Sequence, residues 1–590
     1  MFIEPQIKFI ENSYTKDKKI KKLKDLNCKL LTEYPVVYIH NWKDKNRNKY
    51  SVYIGETNDI CRRTEQHYEV LKKNNTSWQK HLNNVALYVI GHEHFNKSLT
   101  LDIENKLMLY LTSIDTVENI CNGRGNPQKE YYTSDEFPDI FSDIWNKLHE
   151  YNKDLFIDKN IIESSALFKA SPFHKLTEEQ LKIRNNILEK LDIVLADKEA
   201  KNKLIFVEGN PGTGKTVLNS SIFYELVLRN KEKNIENGKI LNVCMIVNHD
   251  EQLKVYEQII KKLLGKDYKK SGKDLGKVLK PIKFLNYAKD KTDLVDIVFV
   301  DEAHLLLTQS TQGYNKTNKK CSNMLEDIVK KAKVTIAMFD ENQMLTTEQY
   351  LSDSDINKFR NMSEFPVIRL KTQLRINSSK EVLDWINNFI ENGIINELPT
   401  NLGDYEIKFF DTPDKLDEAI RNKANNDNTK LSRLIATYDW NYDFKPKDIS
   451  MVAEEASKYN CVNIGDWHMP WNNVIPHKSD KKNDAWAEQK ETINEVGSTF
   501  TIQGFDLNYA GVILGPSIKY ENGKIVYDTS KKAYDKMTRK RTITEDVKQS
   551  FAEKFSKNEL RILMTRGVNG LYIYACDENL RNYLMKLQKK

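Results

Sequence analysis

The sequence predicts a multidomain α/β protein in which a small α+β domain precedes two domains built on parallel sheets. The chain has 590 residues, more than one hydrophobic core supports. Residues 204–228 are typical of a buried strand, a glycine-rich loop and a helix, and short apolar runs alternate with helical patterns after them. Before about residue 155 the pattern differs, because a β-hairpin leads into helix, strand and helix.

Composition restricts the function classes. Hydrophobic residues make up 39% of the chain and charged residues 30%, which suits a globular protein in water. We expect neither a membrane span nor a secretory signal, because no apolar run approaches about 18 residues. The seven cysteines are scattered and form no CxxC pair, so we expect a cytoplasmic chain without disulfides or cysteine-held zinc. The net charge of +7 permits a polyanionic partner without requiring one.

The glycine-rich loop predicts a nucleoside triphosphate site. It fits G-x-x-x-x-G-K-[ST] through Gly209, Gly214, Lys215 and Thr216, with Gly212 inside the loop. Glycines let backbone N–H groups surround phosphate oxygens, the lysine supplies a positive charge, and the threonine hydroxyl suits magnesium. The alternative is a glycine-rich turn that happens to precede a helix. The strand before the loop and the helix after it favour phosphate binding.

A second buried strand, residues 296–300, ends in two acids. Asp301 is placed to hold magnesium through water, and Glu302 to polarise the attacking water. An apolar strand that ends in Asp-Glu is common by itself, but after a phosphate loop it is typical of an ATPase. His304 is predicted to pack or to couple rather than to ligate a metal, since no partner lies at zinc spacing.

Further motif residues stand in a fixed order along the chain. They are Gln180 ahead of the phosphate loop, Gln343 three residues after Asp340, Arg375 after Leu370-Lys371-Thr372-Gln373-Leu374, Gln503 and Gly504 after Thr499-Phe500-Thr501-Ile502, and Arg566 after Leu563-Met564-Thr565. In this order they resemble the motifs of superfamily 1 helicases and, more narrowly, a bacterial family of helicase-type proteins that often carry a GIY-YIG nuclease domain.

That resemblance implies two RecA-like domains, 173–362 and 363–590, with ATP and Mg²⁺ as cofactors and DNA rather than RNA as the favoured partner. It places Gln180 at adenine, which suits an amide with one donor and one acceptor, although a surface helix is the alternative. It makes Gln343 the γ-phosphate sensor. Arg375 and Arg566 would face the nucleotide, with Arg566 as the catalytic arginine, and Gln503 and Gly504 would couple nucleotide state to the nucleic-acid strand.

The second domain holds an insert-like region at about 437–490. Indole rings can stack on unpaired bases, whereas packing in a core is the commoner fate of tryptophan, and both interpretations stay open. The residues concerned are Trp440, Trp467, Trp471 and Trp486.

The N-terminal third, residues 1–155, carries a second set of motif residues. Tyr53-Ile54-Gly55 and Val36-Val37-Tyr38 lie on the two strands of the hairpin, and Arg63 and His67 share one helix face. Glu104 lies beside the apolar stripe of a later helix. The set resembles the GIY-YIG nuclease domain, a central antiparallel sheet flanked by helices, with its first signature degenerate. Residues 156–172 are predicted to be the linker that follows it.

The nuclease resemblance implies specific residue roles. Arg63 and His67 would be catalytic, Glu104 would bind the metal, and the family's late asparagine falls on Asn119 or Asn122. Glu56 stands where some members carry a lysine, and His40 is a substitute for that lysine.

The chemistry of phosphodiester hydrolysis suits these residue types. A magnesium ion on Glu104 can hold the scissile phosphate, and Arg63 can neutralise the charge that develops on it. A tyrosine hydroxyl, Tyr38 or Tyr53, can relay a proton if nearby charge lowers its pKa. Taken singly, each tyrosine is an ordinary strand aromatic and His67 a surface histidine.

Three functions follow from these motifs. The first is an ATP-driven DNA motor coupled to its own magnesium-dependent endonuclease, in bacterial defence against foreign DNA or in repair. The second is an ATP-gated switch that senses nucleic acid without moving. The third is an ATPase whose nuclease-like domain only binds DNA. Assembly as a homo-oligomer or with a partner subunit stays open.

Overall fold

The computed structural model describes residues 4–11, 16–26, 28–44, 46–73, 85–121, 131–235, 240–264, 275–289, 293–308, 323–363, 365–373, 378–426, 431–442, 460–472, 486–502, 505–544 and 547–588. Within these ranges the chain forms a five-stranded, a six-stranded and a four-stranded sheet, together with three two-stranded ribbons. Helices and parallel sheets alternate after the first sheet, which confirms the predicted multidomain α/β class.

The described strands are, in chain order, β1 (Gln6–Ile10), β2 (Val36–Asp44), β3 (Lys49–Thr57), β4 (Ala86–Gly91), β5 (Val117–Ile120), β6 (Lys203–Gly209), β7 (Val243–Ile246), β8 (Lys277–Leu279), β9 (Val295–Val300), β10 (Ala332–Phe339), β11 (Ile368–Leu370), β12 (Glu406–Phe410), β13 (Arg433–Ala436), β14 (Cys461–Ile464), β15 (Trp467–Pro470), β16 (Leu507–Leu514), β17 (Ile518–Glu521), β18 (Lys524–Tyr527), β19 (Arg541–Thr544), β20 (Val547–Gln549) and β21 (Gly567–Ala575).

The described α-helices are α1 (Lys16–Lys24), α2 (Lys29–Thr32), α3 (Ile60–Lys73), α4 (Lys97–Thr112), α5 (Phe137–Tyr151), α6 (Lys159–Ser164), α7 (Ala166–Lys169), α8 (Glu178–Ala196), α9 (Lys215–Ile235), α10 (Asp250–Leu264), α11 (Pro281–Lys289), α12 (Met324–Val329), α13 (Asp353–Met362), α14 (Lys380–Asn387), α15 (Pro413–Asn426), α16 (Thr499–Ile502), α17 (Asp535–Thr538), α18 (Ala552–Met564) and α19 (Glu578–Gln588).

The N-terminal sheet has the strand order β1-β4-β2-β3-β5. The predicted hairpin forms from β2 and β3, which pair antiparallel with Tyr38 opposite Gly55. Its ladder runs from Val36 opposite Thr57 to Asp44 opposite Lys49. Helix α4 buries Ile103, Leu107 and Leu111, as its spacing predicts.

The first parallel sheet has the order β11-β6-β10-β9-β7-β8. Its strands are buried on both faces: Leu204 and Phe206 of β6 enter one core, and Ile205 and Val207 enter the other. This two-sided burial accounts for the continuous apolar runs in the sequence. The sheet extends past the predicted boundary at residue 362, since β11 pairs with β6.

The second parallel sheet has the order β12-β21-β16-β13. All of its described pairings are parallel. Helix α14 precedes its first strand, α15 and α18 lie between its strands, and α19 follows the last one. It has its own apolar core, which includes Leu507, Val512 and Leu571. The two parallel sheets therefore fit the predicted pair of motor domains.

Residues 156–172, the predicted linker, are packed rather than extended. Phe156, Ile162 and Leu167 of this segment are buried in a core that also contains residues of α4 and of the first parallel sheet. The mixed polarity of the segment resembles that of a linker, but its apolar side chains lie inward. The N-terminal domain and the first motor domain consequently share packed contacts.

None of the helices in the described ranges combines the length and the apolar character that crossing a bilayer requires.

Candidate active sites

The phosphate loop has the predicted strand–loop–helix geometry. It follows β6 and enters α9, and Gly212 and Gly214 have φ values of 82° and 76°. Left-handed backbone of this kind favours glycine, which explains two of the motif positions. The Thr213 hydroxyl donates to the carbonyl of Asn210 at 2.9 Å and closes the loop on itself.

Lys215 directly follows the phosphate loop, and its side chain is buried against the loop. Its Nζ donates to the carbonyls of Gly209 at 2.6 Å and Asn210 at 3.0 Å, and it lies 3.0 Å from Asp340 Oδ2. Burial raises the pKa of Asp340, but the ammonium of Lys215 outweighs that effect and the net pKa is lowered. Asp340, which follows β10, thus holds the lysine as a carboxylate, at the same sheet edge as the loop.

Asp301 directly follows β9, the neighbour of β10. Its Oδ2 accepts a hydrogen bond of 2.9 Å from the hydroxyl of Tyr256, whereas its buried Oδ1 has no hydrogen-bond partner among the described residues. Burial, together with the charge of Glu302, raises the pKa of Asp301 to about 7. A buried carboxylate oxygen without a donor suits coordination of a hard cation.

Glu302 has a φ of 53°, a left-handed conformation that costs a residue with a Cβ free energy. Such strain persists where the surrounding structure fixes it, often at functional sites. Its Oε2 lies 3.3 Å from Nε2 of His304. Burial lowers the pKa of His304, and its ring packs 6.2 Å from that of Phe339, so His304 is the packing residue that the sequence predicts.

Two of the three predicted glutamines, Gln180 and Gln343, contact the phosphate loop or Asp340, the carboxylate that pairs with Lys215. Gln180 caps α8, accepting from the N–H of Thr177 at 3.1 Å, and its Nε2 donates to the carbonyl of Thr213 at 3.3 Å. Gln343 donates to Asp340 Oδ2 at 2.7 Å. Gln180 is therefore not the surface-helix residue of the alternative interpretation, since it is buried against the loop.

A cavity of about 340 Å³ joins residues from both motor domains. Arg566 of the second domain lines it, buried, with its guanidinium 3.3 Å from the carbonyl of Phe505 and 3.9 Å from Asp506 Oδ1. Arg375, Gln503 and Gly504 lie outside the described residues. From the first domain and its approach the lining includes Gln180, Gly212, Gly214, Lys215, Thr216, Glu302 and Gln343.

Sequence reasoning missed other residues of this cavity. Phe168 and Lys169 line it from the segment predicted to be a linker, His174 lines it from just after that segment, and Gln252 and Tyr256 line it from α10. No local motif marks these positions. An aromatic or basic residue in an unassigned segment becomes informative only when the fold places it beside the phosphate loop.

A buried ion cluster supports the second domain. Nζ of Lys532 lies 2.8 Å from Asp439 Oδ1 and also pairs with Glu559, and all three side chains are enclosed. Oε1 of Glu559 accepts from the N–H of Tyr438 at 2.8 Å and from Thr499 Oγ1 at 3.4 Å. Thr499 begins the motif that contains Gln503, so the cluster links this motif to the helix preceding Arg566.

In the N-terminal domain, Tyr38 is the centre of a buried polar cluster. Its hydroxyl lies 2.9 Å from Nε2 of His67 and accepts from Nε of Arg63 at 3.2 Å. The ring lies against Gly55, where a Cβ would stand 2.5 Å from its Cζ. Any side chain at the last position of the Tyr53-Ile54-Gly55 signature would therefore displace Tyr38.

Burial sets the protonation states of this cluster. Burial, with Tyr53 beside it, raises the pKa of Tyr38 well above its ordinary value, although Arg63 opposes the shift. The condition stated for proton relay, a tyrosine pKa lowered by nearby charge, is thus not met at Tyr38. Burial and then Arg63 lower the pKa of His67 to about 3, so its imidazole is neutral. His40 is buried, and burial holds its pKa well below its usual range, which makes it a poor substitute for a lysine.

Glu104 belongs to the same neighbourhood. Burial, and then the charge of Glu56, raise its pKa to about 7, against the opposing charges of Lys97 and Arg63. Lys97, on α4, forms an ion pair with Glu56, so an ammonium lies beside the position for which the nuclease resemblance implies a lysine in some members. Neither residue was singled out as a site residue from the pattern, because their pairing crosses from β3 to α4.

Two further predictions have mixed outcomes. Asn119 lies on β5 opposite Ser51 and donates to Cys121 Sγ at 3.2 Å, while Asn122 lies outside the described residues. Of the tryptophans, Trp471 is enclosed beside Tyr438, and Trp486 is buried with its indole N–H 2.8 Å from Glu495. These two indoles pack in a core, while the half-buried Trp440 and Trp467 lie nearer the surface.

The fold and the first site define a class of protein. Two parallel-sheet domains meet at a cavity that contains a phosphate loop, an Asp-Glu pair after a strand and an arginine from the opposite domain. These are the features of a helicase-like P-loop ATPase.

Comparison with protein families makes the assignment more specific. The family model described as Schlafen group 3, DNA/RNA helicase domain, matches residues 202–577. An uncharacterized protein of Saccharomyces cerevisiae is 31% identical over 464 residues, which cover 73% of this chain and 94% of the yeast protein. The chain therefore belongs to the Schlafen group 3 helicase-domain family. This relative is eukaryotic, whereas the sequence motifs pointed to a bacterial family.

Solved structures of helicases are also similar to the chain. The arterivirus nonstructural protein 10 helicase, solved in a complex with DNA, has 13% identity and a TM-score of 0.28, covering 68% of this chain and 65% of that protein. The Pif1 helicase from Candida albicans has 11% identity and a TM-score of 0.26, covering 70% of this chain and 100% of that protein.

Proposed function

We propose that the chain is an ATP-driven motor that acts on nucleic acid, with DNA favoured over RNA. One observation carries the proposal: Lys215 and Thr216 of one parallel-sheet domain and Arg566 of the other line a single cavity. A nucleotide bound there would contact both domains, so its hydrolysis would change how they sit against each other. The family assignment to a helicase domain supports the same function.

The residues of this cavity divide the work of phosphoryl transfer. Lys215 would exchange its carbonyl contacts and Asp340 for the phosphates, which need the same positive charge. Glu302 would orient the attacking water, and Gln343 would report the γ-phosphate through its bond to Asp340. Arg566 would neutralise charge that develops on the transferred phosphoryl group.

Thr216 and Asp301 would hold magnesium at this site. Magnesium prefers oxygen ligands, and two are available here. One is Oδ1 of Asp301, to which no described residue donates a hydrogen bond, and the other is the hydroxyl of Thr216. When bound, magnesium supplies charge neutralisation at the phosphates.

The motor is tested by two measurements on purified protein. ATP hydrolysis stimulated by single-stranded DNA should disappear in Lys215→Ala, and ATP-dependent displacement of streptavidin from a biotinylated strand should disappear with it. Hydrolysis without displacement would refute translocation and support the ATP-gated switch. Matched RNA and DNA strands distinguish the two nucleic acids.

We further propose that the N-terminal domain is a GIY-YIG-type nuclease. The hydrogen-bonded trio of Tyr38, Arg63 and His67, with Glu104 nearby, supports this assignment. Since Tyr38 stays protonated, we assign it to positioning Arg63 and His67, which leaves Tyr53 as the tyrosine for proton relay. Glu104 would hold magnesium with few protein ligands, consistent with the preference of this ion for retained waters.

A second function for this domain, DNA binding without cleavage, is favoured by its first signature, in which Val36-Val37-Tyr38 keeps only the tyrosine. Plasmid cleavage in magnesium separates the two. Cleavage that is lost in Glu104→Ala and Arg63→Ala, but kept in Lys215→Ala, would establish an ATP-independent nuclease. DNA binding without cleavage from pH 6 to 9 would establish the second function. We also propose that the protein acts in a defence or repair pathway.

A further inference from the structure

Helix α10 touches the nucleotide cavity at its first turns and the N-terminal domain at its last turn. Gln252, Val255 and Tyr256 line the cavity. Lys262, nearly two turns further on, donates to the carbonyls of Thr112 and Ile114, each at 2.8 Å. Tyr256 and Lys262 are both buried, and neither belongs to a motif of the sequence.

Tyr256 contacts the carboxyl group assigned to magnesium. Its hydroxyl donates to Asp301 Oδ2 at 2.9 Å and lies 3.2 Å from the hydroxyl of Ser220, on the helix that follows the phosphate loop. The ring stacks on Tyr224 with centroids 6.0 Å apart. Tyr256 is enclosed in this way. Its hydroxyl donates to Oδ2 of Asp301, and none of the described residues donates a hydrogen bond to Oδ1.

Lys262 attaches the same helix to α4. The last carbonyls of a helix lack partners within it and carry partial negative charge, which stabilises an ammonium. A buried ammonium is costly unless its hydrogen bonds are made, and here two carbonyls accept them. Helix α4 also carries Glu104. Lys261, the preceding residue, is half exposed and lies 3.6 Å from Glu257, so it provides a matched control.

We propose that Tyr256 is a positioning residue for Asp301, and that Lys262 makes this position depend on the N-terminal domain by fixing α10 to α4. The proposal rests on the ATPase function proposed above. Magnesium demands near-octahedral geometry, so a rotation of Asp301 weakens its binding more than it weakens binding of the nucleotide alone. Groups that orient a metal ligand typically change metal affinity by about 10-fold to 100-fold.

The test measures equilibrium binding of a fluorescent ATP analogue to the full chain, in magnesium and in EDTA. Tyr256→Phe should weaken binding in magnesium by about tenfold and leave binding in EDTA within about twofold. Lys262→Met should show part of the same loss, and Lys261→Met should show none. The double variant should bind no more weakly than Tyr256→Phe, because both changes act through Asp301.

Several outcomes would overturn the proposal. Tyr256→Phe that binds like wild type in magnesium, or that loses equal affinity in EDTA, would show that the hydroxyl does not position Asp301. Additive losses of affinity in the double variant would show that Lys262 does not act through the same contact as Tyr256. If the wild-type chain showed no magnesium-dependent binding of the analogue, the proposed ATPase itself would be overturned. If the wild-type chain showed such binding and Tyr256→Phe bound equally well, only the role assigned to Tyr256 would be overturned. Far-ultraviolet circular dichroism confirms that each variant is folded.

Discussion

Replacing Glu104 by glutamine should stabilise the N-terminal domain above neutral pH. Burial raises the pKa of this carboxyl group from 4.5 to about 7, so the folded chain binds the proton more tightly than the unfolded chain. For a raised acid, stability falls as pH rises from the unfolded pKa to the folded one. The ionised side chain is therefore a cost that is absent below about pH 4.5 and complete above about pH 7.

The size of this cost follows from the pKa. At 1.36 kcal/mol for each pH unit, the difference corresponds to about 3 kcal/mol as an upper value. Glu104 keeps some contact with solvent, and water reduces the effect, so we expect about 1–2 kcal/mol in Glu104→Gln at pH 8. Glutamine has nearly the same shape and no charge, which isolates the electrostatic contribution.

Hydrogen exchange of the α4 amides measures this difference in stability locally, so the multidomain chain need not be treated as one cooperative unit. Wild type and Glu104→Gln are compared at each pH, so the intrinsic pH dependence of exchange cancels. Glu65→Gln, on the exposed side of α3, is the control and should change protection by less than about 0.5 kcal/mol. Equal protection of wild type and Glu104→Gln at pH 8, or a difference that does not shrink towards pH 5, would refute the reasoning.

The other predictions concern the motor. Arg566→Ala should lower kcat for ATP hydrolysis by about 10³-fold with ADP affinity little changed, as phosphate-release kinetics and ADP titration would show. Lys532→Met should destabilise the second domain by about 3–5 kcal/mol, because Asp439 and Glu559 stay buried without their partner; thermal unfolding measures this against exposed Lys531→Met. Trp471→Ala should cost about 3–5 kcal/mol, whereas Trp440→Ala should cost clearly less in the same assay because Trp440 is only half-buried.

The nucleotide site could be predicted from sequence because its parts are local. A phosphate loop is one turn between a strand and a helix, and the positive φ values of Gly212 and Gly214 explain why its pattern is fixed. Asp301 and Asp340 each end an apolar run, and parallel strands bring such ends to one edge. Arg566 required a resemblance, since only the fold brings it to Lys215 across more than three hundred residues.

The remainder could not be predicted because it depends on contacts between distant segments. Tyr256 looks like one apolar position of an amphipathic helix, and only its neighbours reveal the bond to Asp301. Lys97 and Glu56 are ordinary surface charges in sequence, yet they meet beside Glu104. The direction of the Tyr38 pKa could not be read from sequence for the same reason, because it depends on burial, which outweighs the charge of Arg63.

The same limitation applies to the division of the chain into domains. Asn105, next to Glu104, donates 2.9 Å to the carbonyl of Phe173, and Asp102 lies 3.5 Å from Lys175, which lines the nucleotide cavity. Asp102 and Asn105 of α4 thus support the wall of the nucleotide cavity, while Glu104 of the same helix belongs to the site in the N-terminal domain. Motif reasoning treats the two units as separate modules, each complete in itself. Because both sites contact α4, a change at one site that moves this helix would also reach the other, and any such coupling would act equally in both directions.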